Sequence, residues 1–179
     1  MTGVATPLRI HTIGHSTRSF DDFVALLEAH GVRQLADIRT IPRSRRHPQF
    51  KRDALAGALA ARGIEYRHLP ALGGLRHPRP DSPNTGWRNE SFRGYADYMG
   101  TPAFERGLDE LLTMARVAPT SMMCAEAVWW RCHRSLLSDA LVARGVEVLH
   151  VISASPPTPH QFNPMARLVD GRVVYPSLF

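Results

Sequence analysis

Two short segments hold most of the side chains that could do chemistry. They are Cys124-Ala125-Glu126 and Cys132-His133-Arg134-Ser135. Together they bring two thiols, an imidazole, a carboxylate and a guanidinium into one stretch of chain. A thiol at a helix N-terminus with Arg131, His133 and Arg134 beside it has its thiolate form stabilised by the helix dipole and by charge. Cys132 is therefore a candidate nucleophile, with His133 or His15 as its base. Cys124 is a second candidate catalytic thiol, and Glu126 a group that orients a neighbour or carries a proton. The competing reading is a half-buried structural thiol beside a structural histidine. The Cys-x5-Arg spacing of protein phosphatases is absent, because Trp130 and Ser138 stand where its arginine would be. Cys124, Cys132, His133 and His15 could also ligate a metal, but Cys-x7-Cys-His is not a usual zinc spacing. No metal site and no cofactor is assigned from these residues.

A second set of residues is suited to holding an anion. Arg39, Arg43 and Arg45 lie in a basic loop from Arg39 to Phe50, and Arg134 and His133 stand beside the thiol. Guanidinium groups match phosphate oxygens by charge-assisted, often bidentate hydrogen bonds. The overall balance agrees: net charge is +6, and Lys51 is the only lysine among 22 lysines and arginines. A basic surface favours an anionic small molecule or nucleic acid as partner. Phosphate-loop, dinucleotide and zinc-protease signatures are missing. Gly14-His15-Ser16-Thr17-Arg18 has the outline of a nucleophile elbow but lacks its second glycine. His30, His68, His77, His150 and His160 show no partner in the sequence and read as structural or solvent-facing.

The elements that must position these residues follow one grammar. A helical stretch ends in glycine, and Val or Ile then opens a strand, at Gly31-Val32, Gly63-Ile64 and Gly145-Val146. The glycine suits the left-handed position that ends a helix. Strands are expected at Arg9–Ile13, Gln34–Ile38, Ile64–His68, Thr120–Cys124 and Val146–Ile152, with helices between them. Ser19 with Asp22, and Thr101 with Pro102, mark helix starts. The alternation predicts an α/β fold: an open, mostly parallel sheet with helices on both faces, a Rossmann-like three-layer arrangement. Asp170-Gly171 predicts a C-terminal hairpin within 161–179, added to a sheet edge or covering an opening. Residues 70–100, rich in Gly and Pro but carrying Trp87, Phe92, Tyr95 and Tyr98, predict an ordered lid-like excursion anchored by its aromatics. In open parallel sheets ligands bind beyond the carboxyl ends of the strands. His15, Arg39, Cys124, Glu126 and Cys132 are thus expected in one cleft there.

The 179 residues, of which 44% are hydrophobic and 21% charged, predict a single α/β domain over 1–179 and exclude wholesale disorder. No apolar run reaches the length of a membrane span, so no membrane partner is expected. Met1 to Leu8 lacks a signal-peptide layout, and two cysteines are too few for a disulfide scaffold. A cytoplasmic protein with free thiols is expected. Nothing in the sequence speaks to oligomeric state.

The motifs together resemble the domain-of-unknown-function 488 family. They are Thr12-Ile13-Gly14-His15-Ser16, Asp37-Ile38-Arg39, Pro42-Arg43-Ser44-Arg45 with Pro48-Gln49-Phe50, and the two cysteine segments. Leu69-Pro70-Ala71-Leu72-Gly73-Gly74, Asn84 to Arg88, Ser91 to Tyr95 and the closing Ala166 to Pro176 are also similar to it. The resemblance implies an α/β fold in a mainly bacterial and archaeal family, and no established reaction comes with it. The function expected from the residues is an enzyme acting on an anionic, phosphate-bearing substrate, a nucleotide or nucleic acid. The alternatives are a nucleic-acid-binding module without catalysis, or a metal-binding regulator.

Overall fold

The computed structural model describes residues 3–178; Met1, Thr2 and Phe179, which end the expected 1–179 and 161–179 spans, lie outside the described residues. Along the chain come β1 (Arg9–Gly14), α1 (Phe20–Ala29), β2 (Gln34–Asp37), α2 (Arg52–Ala60) and β3 (Glu65–His68). They are followed by α3 (Glu90–Tyr98), α4 (Pro102–Val117), β4 (Thr120–Cys124), α5 (Arg134–Val142), β5 (Glu147–His150), β6 (Thr158–Pro159), β7 (Arg167–Val169) and β8 (Arg172–Val174). The main sheet has the order β3-β2-β4-β1-β5-β6. Its ladders are parallel except the last, where β6 runs antiparallel to β5. This is the expected α/β architecture.

Side chains alternate between the two faces of a strand, so each face builds its own core. Ile10, Ala36, Ile38, Met122, Cys124 and Val148 face one layer, where Tyr95 of α3, Leu108 and Leu111 of α4, and Leu136 and Leu137 of α5 pack on them. Ile13, Leu35 and Met123 face the other, against Phe23, Val24 and Leu27 of α1 and Leu55 and Leu59 of α2. The helix starts are the expected ones. Ser19 accepts a hydrogen bond from the Asp22 N–H, and Thr101 from the Phe104 N–H ahead of Pro102. At the helix ends, Gly31, Gly63 and Gly145 take φ of 68°, 73° and 78°. A side chain there would be strained, which is why the helix-to-strand link uses glycine each time.

The 70–100 excursion is ordered and contains a helix that its composition concealed. Tyr95 of α3 is buried and donates to the Leu72 carbonyl at 2.9 Å, while Tyr98 donates to the Ala71 carbonyl at 2.6 Å. Asp97 gathers the rest of the segment, accepting from Ser82 Oγ, Asn84 Nδ2 and the Arg79 N–H. The Asp-Gly hairpin forms with φ of 50° at Asp170 and 76° at Gly171. It stands as its own two-stranded sheet, and the edge of the main sheet is taken by β6. Tyr175, just beyond the hairpin, is fully buried.

Candidate functional site

The expected residues lie at the carboxyl edge of the sheet, but on its two different faces. The His15 N–H donates to the Cys124 carbonyl at 2.9 Å, and the Ile38 N–H to the Met123 carbonyl at 3.0 Å. The ends of β1, β2 and β4 are therefore laced together. Gly14 ends β1 where the Glu126 carbonyl crosses it. A Cβ on Gly14 would overlap that carbonyl and come within 3.0 Å of Arg134 Nη2. The close approach at this corner requires glycine.

On the α5 face the thiols, His133 and Arg134 form one cluster. Cys132 Sγ lies 2.7 Å from Cys124 Sγ, 3.4 Å from His133 Nδ1 and 3.4 Å from the Arg134 N–H. His133 Nε2 is 3.0 Å from the Ile38 carbonyl. A carbonyl can only accept, so the Nε2 proton goes to Ile38 and Nδ1 is left as the acceptor facing the thiol. His133, expected as a base for Cys132 or as an anion ligand, thus turns an accepting nitrogen to the Cys132 sulfur. Burial keeps its pKa below the usual value, so it is neutral at pH 7.

Burial also works against a Cys132 thiolate. The Cys124 thiol, the Arg134 charge and the Arg134 N–H outweigh it, and the Cys132 pKa falls below that of an ordinary thiol. Cys124 moves the other way, pushed well up by burial and by the neighbouring sulfur. Of the two, Cys132 ionises first. The sulfur itself takes the first N–H of α5, so the positive end of the helix is turned onto the thiol.

Arg134 is 1% exposed. Its hydrogen-bond partners are neutral: Thr12 Oγ1 at 3.2 Å, the Glu126 carbonyl at 2.7 Å and the Ala127 carbonyl at 3.5 Å. Its Nε has no partner among the described residues. A relay runs from it through the core. Thr12 Oγ1 is 2.7 Å from His150 Nδ1, His150 Nε2 is 2.9 Å from His160 Nδ1, and His160 Nε2 is 2.8 Å from Asp139 Oδ1. Arginine only donates and the carboxylate accepts, so one direction, Arg134 to Thr12 to His150 to His160 to Asp139, satisfies every member. Tyr175 donates to the second Asp139 oxygen at 2.6 Å. Burial lowers the His150 pKa to about 3, which keeps it neutral.

The opposite face holds His15 and Arg39. Arg39 makes a bidentate pair with Asp37, at 2.9 and 2.7 Å, and Tyr66 donates to the same carboxylate. The remaining Arg39 nitrogen faces His15 Nε2 at 3.5 Å. His15 Nδ1 is 2.8 Å from the Ser16 carbonyl, and its ring stacks on Phe50 at 4.3 Å. Burial lowers its pKa to about 4. It is a neutral imidazole with Nε2 as acceptor. Arg18 caps the corner, donating to the Gly14 carbonyl, and burial followed by the Arg134 charge lowers its pKa.

Arg43 and Arg45 stand apart from both clusters. They are exposed and line a cavity of about 750 Å³ with Lys51, Arg52 and Asp53. Glu126 is exposed, and its backbone carbonyl, rather than its carboxylate, meets Arg134. No group of three or more His, Cys, Asp or Glu side chains among the described residues is arranged to hold a metal ion. None of the described helices is long and apolar enough to cross a membrane.

Sequence reasoning did not join Thr12, His150, His160, Asp139 and Tyr175 into one network. Thr12 and Tyr175 stood in family-like motifs, and His150 and His160 read as structural or solvent-facing, with nothing in the sequence to pair them. The model of the family described as Domain of unknown function DUF488 matches residues 19–141, a span that includes the thiol cluster and Arg39 and leaves out His15, His150 and Tyr175. No curated protein and no solved structure matches. With well over half of its length matched, the chain belongs to the family described as Domain of unknown function DUF488.

Proposed function

We infer that this chain is an enzyme acting on an anionic, phosphate-bearing substrate, a nucleotide or nucleic acid, with Cys132 as its nucleophile. One observation carries the reading: Cys132 Sγ sits between His133 Nδ1 and the Arg134 N–H, beside a buried guanidinium that has no carboxylate partner among the described residues. Nucleophile, base and a group that orients the base are the parts of an activated thiol. His133 takes the thiol proton, and the Ile38 carbonyl holds the ring. Cys124 shares its proton with the Cys132 sulfur. His15, neutral and with Nε2 as acceptor, serves as a second base at the same edge, and Arg39 positions it. Arg18, Arg39 and Arg134 all lie at this edge, and Asp37 is the carboxylate partner of Arg39. That surplus of positive charge favours an anion. Arg43 and Arg45 gather the substrate from solvent, and Glu126 carries protons at the rim.

The test is protection of the thiol. Inorganic phosphate, mononucleotides and a short oligonucleotide are each added while iodoacetamide alkylates the reduced chain. A several-fold slower alkylation of Cys132 by at least one of them supports the reading, and equal rates with all of them overturn it.

A second reading, a nucleic-acid-binding module without catalysis, is favoured by the cavity of about 750 Å³ lined by Arg43, Arg45, Lys51 and Arg52. Oligonucleotide binding would then fall steeply with salt. Arg43→Ala and Arg45→Ala would each flatten that slope by about one phosphate contact, while Cys132→Ser would change nothing.

A further inference from the structure

We propose that Cys132 and Cys124 form a peroxide-sensitive dithiol, in which a hydroperoxide oxidises Cys132 and Cys124 resolves it to an intrachain disulfide. The proposal rests on the geometry of the two thiols and not on the phosphate reading.

The two sulfurs come from different elements, the end of β4 and the residue before the N-cap of α5, and meet at 2.7 Å. Both cysteines are free in this structure. Two thiols brought this close inside a packed core need little movement to reach the bond length of about 2.05 Å. Their surroundings are unequal, which assigns the roles. Cys132 has the base His133 at 3.4 Å and the Arg134 N–H at 3.4 Å. Among the described residues Cys124 has only the Glu126 carbonyl at 3.8 Å and its partner sulfur. Oxidation-sensitive cysteines combine thiolate character with an adjacent resolving thiol. A hydroperoxide is the fitting oxidant because the site is tight. Cys132 is 5% and Cys124 2% exposed, so a small oxidant reaches the pair more readily than a bulky disulfide does.

The steps balance. His133 Nδ1 takes the Cys132 proton, and the thiolate attacks one peroxide oxygen. The S–O bond forms as the O–O bond breaks, and His133 returns the proton to the departing oxygen. The products are a Cys132 sulfenic acid and an alcohol, or water when the oxidant is hydrogen peroxide. The Cys124 sulfur then attacks Cys132 Sγ. The S–S bond forms, the S–O bond breaks, and the hydroxyl leaves with the Cys124 proton as water. The two sulfurs together lose two electrons, and the peroxide gains them. The disulfide removes the thiolate, so the same event silences any nucleophilic role of Cys132.

The experiment uses the reduced full chain, hydrogen peroxide near stoichiometry, and dimedone to trap sulfenic acid. Trypsin cleaves after Arg131 and so separates the two cysteines, leaving a disulfide as a link between residues 117–131 and 132–134. The wild type is expected to give that linked pair, released by dithiothreitol, with little dimedone adduct. Its oxidation is expected to run about tenfold faster than that of glutathione at pH 7, as a low-pKa thiol should. Cys124→Ser is expected to accumulate the adduct on Cys132, and Cys132→Ser to leave Cys124 untouched. Thermal melts confirm that both variants are folded. A wild type that gives no linked peptide, or that accumulates dimedone adduct in its place, overturns the proposal without any variant. Adduct on Cys124 in Cys132→Ser overturns the assignment of roles. A chain that oxidises as stated while phosphate and nucleotides leave alkylation unchanged keeps this proposal and loses the phosphate reading alone.

Discussion

The chemistry of single residues here is decided by what each buried polar group is bonded to. Cys132 and Cys124 are both buried, yet burial raises only the Cys124 pKa on balance, because Arg134 and the donated hydrogen bonds act on Cys132. Alkylation by a small reagent should therefore report one fast and one slow thiol. The rate of Cys132 modification is expected to plateau at lower pH than that of a free cysteine. Replacing the buried guanidinium by Arg134→Lys loses the planar fork that reaches Thr12 and Glu126 together. The plateau should then move up by about one pH unit, a roughly tenfold slower reaction at pH 7. A profile unchanged in Arg134→Lys would show that the guanidinium fork is not what holds the thiolate. His15 is the second case. Its neutral state follows from burial and, further down, from the Arg39 charge facing its Nε2, so at pH 7 it is an unprotonated imidazole whose Nε2 accepts a hydrogen bond and has no proton to give.

At the scale of elements, α5 and the end of β1 hold the site in place. α5 carries Arg134 at its start and Asp139 near its middle, and the relay through Thr12, His150 and His160 joins them across β1 and β5. The relay links the buried cation to the buried anion through Thr12, His150 and His160. Asp139→Ala leaves His160, Tyr175 and the Asn163 N–H without their acceptor. It is expected to cost about 3–5 kcal/mol, the range for breaking a buried charged network. Denaturant melts measure it, and a loss under about 1 kcal/mol would mean that the relay is not what stabilises this region. Gly14→Ala probes the corner where Glu126 crosses β1. The added Cβ must displace a backbone carbonyl that holds Arg134. A cost of about 1–3 kcal/mol is expected from the overpacking, together with slower Cys132 alkylation.

For the molecule as a whole, the buried histidines set its response to acid. His11, His15, His133 and His150 all have folded-state pKa values below the ordinary 6.5. Between the unfolded and folded values the unfolded chain binds more protons, so stability increases with pH there. The contribution is complete above about pH 6.5 and is lost as pH falls toward the values of about 4 for His15 and about 3 for His150. Thermal melts should show Tm dropping as pH is lowered from 7 to 4, starting near the ordinary histidine range and above that of carboxylates. His150→Asn should flatten the drop, and a Tm constant down to pH 5 would contradict the account. The arginine excess has its own effect at this scale. Arg43, Arg45 and Arg46 are all exposed on one loop, and a screened, salt-dependent attraction to anions follows from that.

The layered sheet, the helix ends and the hairpin turn were legible because each rests on local physics. Gly31, Gly63 and Gly145 sit where helices must reverse, apolar runs mark buried parallel strands, and Asp170-Gly171 suits a tight turn. The gathering of His15, Arg39, Cys124 and Cys132 at one sheet edge was legible too, since parallel strands put all their following loops on the same side. Which of them touch was not. Side-chain alternation sends Cys124 to the α5 face and Asp37, with its partner Arg39, to the other, and a strand set one residue out of register would reverse the assignment. The helix α3 was hidden because an interior glycine breaks its pattern, and its stability comes from contacts with the Pro70–Leu72 turn. The relay from Arg134 to Asp139 was invisible for the same reason. Its members are spread from Thr12 to His160, and only the packing of β1, β5 and α5 against one another brings their polar atoms within hydrogen-bond reach.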